Sequence, residues 1–128
     1  MDVATWVEAY RRAWEERDAD AAAALFTEDG QYRTQSFLEP NVGQSGVHKY
    51  WADVTETQSD VHVQMGRPFA DGNRVAVEFW TNMKNGGDEV TLAGCLLLQF
   101  AEDGRCQRLR EYWFFQPGLE PPHDGWGS

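Results

Sequence analysis

Hydrophobic residues recur with two different periods along the chain. Up to residue 53, most apolar positions follow the three- and four-residue spacing typical of amphipathic helices. From residue 60 onward they alternate with polar positions, or form runs rich in Val, Leu, Phe, Trp and Tyr, as half-buried strands do. The pattern predicts helices first and an antiparallel sheet after them.

The predicted elements can be bounded by their caps and turns. Helices are predicted at 5–17, 21–26 and 46–53, and strands at 31–37, 60–67, 74–83, 89–100 and 105–115. The last three strands form a meander, because Asn85-Gly86 and Asp103-Gly104 lie between them and tolerate positive φ. Helices packed on one face of such a sheet give an α+β domain, and a curved sheet of this kind encloses a pocket.

Two carboxylates lie inside the meander. Alternation places Glu78 on one face with Trp80, and Glu111 on one face with Leu109 and Trp113. The turns set Glu111 opposite Leu96, and Leu96 opposite Val77 or Glu78. The two acids would then stand two strands apart, about 10 Å between backbones, and could converge on one small molecule. The alternative is that one or both face solvent or pair with an arginine.

Composition narrows the class of protein. A chain of 128 residues with 41% hydrophobic residues predicts one globular domain, residues 1–116, and a tail, 117–128, whose prolines and glycines predict loose order. The net charge of −10 argues against nucleic acid and anionic membranes as partners. The sequence has no signal peptide and no long apolar run, so we expect a cytoplasmic protein. Cys95 and Cys106 lack metal-site spacing and are interpreted as free thiols.

Several segments, in this order, resemble a known family. They are Trp6 and Tyr10, Arg17-Asp18, the run 25–29 leading into Tyr32, the run 46–51, the run 75–80, and the run 102–113. This order resembles the SnoaL-like, polyketide-cyclase-like branch of the nuclear transport factor 2-like superfamily. The resemblance implies an α+β cone-shaped barrel with a deep pocket, and usually a dimer. It implies no single activity.

Two enzyme branches of that superfamily can be compared by residue. Tyr10 matches the helix tyrosine of ketosteroid isomerases, but their base falls on Thr34 and their protonated Asp on Leu96. The epoxide-hydrolase pattern is matched by Tyr32 and by Glu111 in place of its last Asp, with Glu78 near the middle acid. Thr34 replaces its Asn, and Ala76 holds the place of the Arg that bridges the acids. The sequence therefore lacks part of the catalytic residue set of each of the two branches.

The site prediction rests on the two acids. Apolar surroundings raise the pKa of a carboxyl and suit it to acid–base work, so Glu111 is the proposed principal acid or base and Glu78 its partner. Tyr32 is the proposed polarising or water-positioning group. Predicted pocket-lining residues are Tyr10, Thr34, Trp51, Trp80, Leu96, Leu109 and Trp113. Each of these aromatic residues also fits a plain core role, and His48 fits an exposed or capping position as well as a proton shuttle.

The leading functional hypothesis is a cofactor-independent acid–base enzyme acting on a small, largely apolar molecule. Isomerisation, cyclisation, dehydration and hydration are the reaction types considered. The sequence has no phosphate loop, no Ser/His/Asp order and no paired Cys nucleophile, and the acids lack the spacing of a metal site. The rival is a non-catalytic ligand-binding or scaffold domain, so enzymatic activity stays open.

The other face of the sheet predicts self-association. If the pocket face is as described, an apolar outer face remains, which would bury large side chains in a two-fold homodimer. The predicted outward residues are Val75, Val77, Phe79, Cys95, Leu97, Tyr112 and Phe114, with Arg108 and Arg110 at the rim. The chain's own tail, through Trp126, is the alternative cover.

Overall fold

The computed structural model describes residues 1–128 and contains three helices and seven strands. In chain order these are α1 (Val3–Glu16), α2 (Ala19–Ala24), β1 (Phe26–Arg33), β2 (Asn41–Val42), α3 (Gly43–Thr55), β3 (Gln58–Met65), β4 (Phe69–Asp71), β5 (Arg74–Asn85), β6 (Asp88–Phe100) and β7 (Cys106–Pro117). One sheet runs β2-β1-β7-β6-β5-β3, with β4 paired to β5. The predicted α+β class is confirmed, with a curved, unclosed sheet.

Helix α1 forms where its apolar stripe and its caps agree. The Asp2 carboxylate accepts a hydrogen bond from the Thr5 N–H at 2.8 Å, and Arg17 ends the helix in the left-handed region at φ 53°. One face of α1 is buried against the sheet, and it carries Tyr10 and Trp14 toward the interior. The helices thus cover the inner face of the sheet.

The meander is present as predicted and is longer than predicted. Strands β5, β6 and β7 pair antiparallel along most of their length, and Gly86 and Gly87 connect β5 to β6 with φ of 60° and 90°. Strand β1 pairs parallel to β7, which places Tyr32 beside Leu109. The predicted strand 31–37 was too late in the chain, because β1 begins directly after α2 at Phe26 and ends at Arg33.

The register of β5 corrects the predicted faces. The tight turn pairs Asn85 with Asp88, and this register sets Val77 opposite Leu96, which lies opposite Glu111. Because side chains alternate, a one-residue difference exchanges the two faces of a strand. Val75, Val77 and Phe79, predicted to point outward, are buried on the inner face. The prediction that Glu78 shares a face with Glu111 is wrong, since Glu78 pairs with Cys95 on the outer face.

The C-terminal tail is bound to the outer face of the sheet, where loose order was predicted. The Trp80 indole N–H donates to the Glu120 carbonyl at 2.8 Å, and the Arg67 N–H donates to the Gly127 carbonyl at 2.7 Å. The Trp126 ring meets the Trp80 ring edge-on at 5.8 Å. Hydrogen bonds to the tail backbone, and aromatic contacts of Trp80 with His123 and Trp126, therefore order this proline-rich segment. None of the three helices has both the length and the apolar character needed to cross a membrane.

Candidate active site

A cavity of about 310 Å³ lies between the helices and the inner face of the sheet. Its wall is mostly apolar and is contributed by α1, α3 and strands of the meander. Exposed side chains at its mouth include Val54, Trp113 and Phe115. An apolar cavity with a few polar groups is the usual form of a small-molecule site.

Glu111 is the acid of this cavity. Its side chain comes from the middle of β7, opposite the fully buried Leu96, and is half-buried with one side facing the cavity. Burial raises the pKa of Glu111 to about 8, against a smaller lowering by a hydrogen bond from Tyr32. At neutral pH the carboxyl is therefore mainly protonated and can donate a proton.

Two tyrosines extend from Glu111 into a chain of hydroxyl groups. The Tyr32 hydroxyl donates to Glu111 Oε2 at 3.2 Å, and the Tyr10 hydroxyl lies 3.4 Å from that of Tyr32. Each phenol has one O–H, so Tyr10 donates to Tyr32 when Tyr32 donates to Glu111. Burial first, and the charge of Glu111 second, raise the pKa of both phenols. They stay neutral donors at physiological pH.

The remaining polar groups lie along the cavity away from Glu111. Gln58 is buried, and its Oε1 accepts the Trp14 indole N–H at 2.9 Å. Trp51 packs edge-on against the Tyr10 ring, and its buried indole N–H has no acceptor. Asp53 lies at the mouth, where Lys49 pairs with it at 2.8 Å. Glu111 is thus the one carboxyl in the wall besides the exposed Asp53.

The structure gathers half of the predicted site residues. Glu111, Tyr32, Tyr10, Trp51 and Trp113 line the cavity. Leu96 and Leu109 share its face of the sheet but belong to the core, where they are 0% and 1% exposed.

The other three predicted residues lie elsewhere. Glu78 and Trp80 are on the outer face, so their assignment to the pocket is wrong. Thr34 follows the end of β1 and does not line the cavity.

Tyr50 and Gln58 are among the cavity residues that the sequence analysis did not predict. Tyr50 lies beside Tyr32 at a ring distance of 5.3 Å, and its pKa is raised by burial and by the charge of Glu111. The apolar stripe of the third helix pointed to Tyr50 as a packing residue only. Gln58 precedes the predicted strand 60–67, and nothing in its neighbours marks it as buried.

Two further groups complete the chemical inventory. His48 is half exposed and pairs with Asp20 of α2 at 3.0 Å, outside the cavity. No three His, Cys, Asp or Glu side chains come together as a metal site would require. Cys95 and Cys106 are free thiols, and burial raises the pKa of both.

Comparison with known proteins places the fold. A family model described as a SnoaL-like domain matches residues 7–109. A protein with a ketosteroid isomerase-like fold from Catenulispora acidiphila, crystallised with trimethylamine, is similar with a TM-score of 0.76 at 20% identity, over 84% of this chain and 83% of that one. No curated protein sequence matches the chain.

Two similar structures carry names of activities. An LEH-like epoxide hydrolase of Mycobacterium tuberculosis has a TM-score of 0.71 at 23% identity, covering 86% of this chain and 80% of that one. SalBIII, an epoxide hydrolase/cyclase-like enzyme with a role in pyran ring formation in the polyether salinomycin, has a TM-score of 0.75 at 22% identity, covering 87% and 89%. At these identities the likeness is one of fold.

Proposed function

This chain belongs to the SnoaL-like domain family, and from that premise we propose that it is a cofactor-independent enzyme in which Glu111 is the general acid. The substrate is a small, neutral and largely apolar molecule with an oxygen that accepts the proton of Glu111. The observation that carries this proposal is one acid of raised pKa facing an open, mostly apolar cavity.

The hydroxyl chain supports a catalytic use of that acid. Tyr32 donates to Oε2 and leaves Oε1 free to carry the proton toward the cavity. With a pKa of about 8, about nine in ten Glu111 side chains are protonated at pH 7. A group so close to the working pH can both give a proton and take one back.

A single acid favours particular reaction types. Isomerisation, dehydration and intramolecular cyclisation need one group that donates and then accepts, whereas hydrolysis also needs a base that activates water. Glu78, the predicted second acid, is on the other face of the sheet. SalBIII, an epoxide hydrolase/cyclase-like enzyme with a role in pyran ring formation, is similar in fold and supports this preference. We therefore place cyclisation or isomerisation ahead of hydrolysis.

A ligand-binding domain without catalysis is the second candidate. The absence of a second carboxyl facing Glu111 favours it, because a lone buried acid also serves to bind an oxygenated ligand. The cavity is open and is not filled by Trp51 and Trp113, so ligand entry is common to both candidates.

Proton transfer can be tested without knowing the natural substrate. Neutral cyclic ketones, enones and hydroxy-epoxides are incubated with the protein in ²H₂O, and deuterium exchange and ring closure are followed by proton NMR. We expect turnover that falls by about 10²–10⁴-fold in Glu111→Gln and stays within about twofold in Glu78→Gln. If these compounds bind and none of them undergoes exchange or ring closure, the result would favour the ligand-binding domain.

We also propose that the protein is a homodimer through the outer face of its sheet. Phe114 is 83% exposed and Tyr112 46% exposed on that face, where Cys95 and Leu97 lie beside them. The tail already covers the part of the face around Trp80. The exposed aromatic residues that the tail leaves uncovered support the dimer proposal.

A further inference from the structure

Gln58 carries the most informative polar group that proton transfer does not use. The side chain is 5% exposed and lines the same cavity as Glu111. An indole N–H is a donor only, so the Trp14 contact fixes which amide atom of Gln58 is the oxygen. The Nε2 amino group consequently points away from Trp14, and no protein acceptor lies within hydrogen-bond distance of it.

The backbone around Gln58 holds this amide in place. The Arg17 guanidinium donates to the Gln58 carbonyl at 2.7 Å, and Glu15 accepts from the Val63 N–H at 2.8 Å. The end of α1 is thereby fixed to β3 on both sides of the amide. The buried side-chain atoms that lack a partner are Trp51 Nε1 and Thr81 Oγ1, so the Gln58 amino group, which makes no hydrogen bond with the protein, is open to the cavity that Gln58 lines. An oriented donor of this kind is available to an acceptor oxygen of a ligand.

Gln58 lies toward the end of the cavity away from Glu111. Across the sheet, Glu111 pairs with Leu96, which pairs with Val77 of β5. Gln58 pairs with Asn85, which lies eight residues beyond Val77 on the same strand. On α1, Tyr10 contacts Tyr32 at the Glu111 end of the cavity, and Trp14 contacts Gln58. Tyr10 and Trp14 are about one helical turn apart, or about 6 Å along the helix axis. The cavity therefore presents one hydrogen-bond donor near Glu111 and another at Gln58.

We infer that Gln58 is a specificity-determining residue whose amide donates to a second oxygen of the ligand, so that the molecule bound is a neutral one with acceptor oxygens at both ends. This inference rests on the proposed function of the cavity and adds the ligand's second polar group. The Gln58 amide would favour ketones, ethers and esters with two separated oxygens over compounds of the same length that have one oxygen or none.

A ladder of linear ketones tests the inference. The probes are 2,5-hexanedione, 2,7-octanedione and 2,9-decanedione, each against the monoketone of equal length, with affinities from NMR titration. At the length that matches the separation of the two donors, we expect the diketone to bind about 5–10-fold more tightly than its monoketone. Downfield shifts of the Gln58 side-chain amide protons should accompany that length.

Two variants separate the amide from its surroundings. Gln58→Leu removes the donor without adding an ionisable group, and Gln58→Met removes it with an unbranched side chain of similar length. The diketone preference should fall to about one in both. Tyr50→Phe, which also lines the cavity, is the matched control and should keep the preference.

The failures are distinguishable. If mono- and diketones shift the signals of Leu92 and Met83 in the wall but bind equally at every length, the Gln58 inference is overturned and the pocket proposal stands. A preference that survives in both Gln58 variants overturns it as well. If no probe perturbs the wall, the proposed ligand pocket and the inference fail together.

Discussion

Glu111 and Glu78 lie on opposite faces of the sheet, and the contrast between them explains the site. Glu111 stands on the inner face in an apolar wall, where burial raises its pKa to about 8. Glu78 stands on the outer face, where its Oε1 accepts from the Gly127 N–H at 3.3 Å. The flanking sequences are alike, with aromatic and aliphatic neighbours around both acids. What separates the buried carboxyl from the one bound to the tail is the face of the sheet, which the turn between β5 and β6 determines.

Moving an acid from the outer to the inner face should have the largest effect. Val77→Glu would bury an unpaired carboxyl beside Leu96, in a position that is 1% exposed. We expect it to lower the free energy of unfolding by about 3 kcal/mol or more, whereas Glu78→Val changes it by about 1 kcal/mol or less. Urea denaturation of both variants measures the difference. Equal losses would mean that the two faces are not distinct environments.

The protonation of Glu111 should make stability fall as pH rises. Its pKa is about 8 in the folded protein and near 4.5 when unfolded, so between those values the folded state binds the extra proton. The free energy of unfolding should therefore decrease with pH by up to about 1.4 kcal/mol per unit from pH 4.5 to 8, and change no further from this group above pH 8. Because solvent in the cavity screens the Glu111 carboxylate, the total decrease in the free energy of unfolding is reduced to a few kcal/mol.

Comparison with a neutral side chain isolates this contribution. Glu111→Gln should flatten the pH dependence measured by denaturation at pH 5, 6.5 and 8.5, while Glu78→Gln should leave it in place. A wild-type profile without any decrease over this range would contradict a buried, protonated Glu111. The same titration should appear as loss of proton donation above pH 8.

The fold was predictable from the sequence to a greater depth than the site. Alternating apolar residues and the Asn-Gly and Asp-Gly turns were sufficient for the meander, and the stripe through Trp6 and Tyr10 for α1. Glu111, Tyr32 and Tyr10 could be placed because their strand or helix faces were unambiguous. Glu78 could not, because the pairing of Leu96 with Val77 or Glu78 depends on one residue of register.

Longer-range features account for the other misses. Gln58 becomes a cavity residue only through the docking of α1 on β3, and local sequence does not encode that contact. The tail resembles a disordered segment in composition, yet Trp80 and Asn82 on the sheet hold it through the Glu120 carbonyl. Composition predicts the order of a segment in isolation, whereas the order of this tail depends on the sheet surface that it contacts.

Removing the tail should affect the outer face alone. Ending the chain after Pro117 exposes Trp80 and leaves its indole N–H and the Thr91 hydroxyl without their partners on the tail. We expect a loss of about 2 kcal/mol in the free energy of unfolding and no change in ketone binding by the cavity. Because the tail binds through its backbone, Glu120→Ala is the matched control and should be nearly neutral. An effect on cavity binding would show that the faces are coupled.

Charge is distributed unevenly along the outer face, and this gives the proposed dimer an orientation. Arg33, Arg74, Arg108 and Arg110 lie at one end of the strands, and none makes an ion pair within 4 Å. The tail, with Glu120 and Asp124, covers the part of the face around Trp80. A two-fold axis through Tyr112 and Phe114 would set the arginine end of each copy against the acidic tail of the other.

Charge reversal at the two ends tests that orientation. The double variant Arg108→Glu with Arg110→Glu, and the double variant Glu120→Arg with Asp124→Arg, should each weaken the dimer by about 10–100-fold, because each places like charges at both contacts. Mixed in equal amounts they should form a heterodimer, since both contacts are then between opposite charges. Light scattering at several salt concentrations measures the masses, and Phe114→Glu should be monomeric throughout. A monomeric wild-type protein would rule out the dimer, and a dimer indifferent to both charge reversals would rule out this orientation.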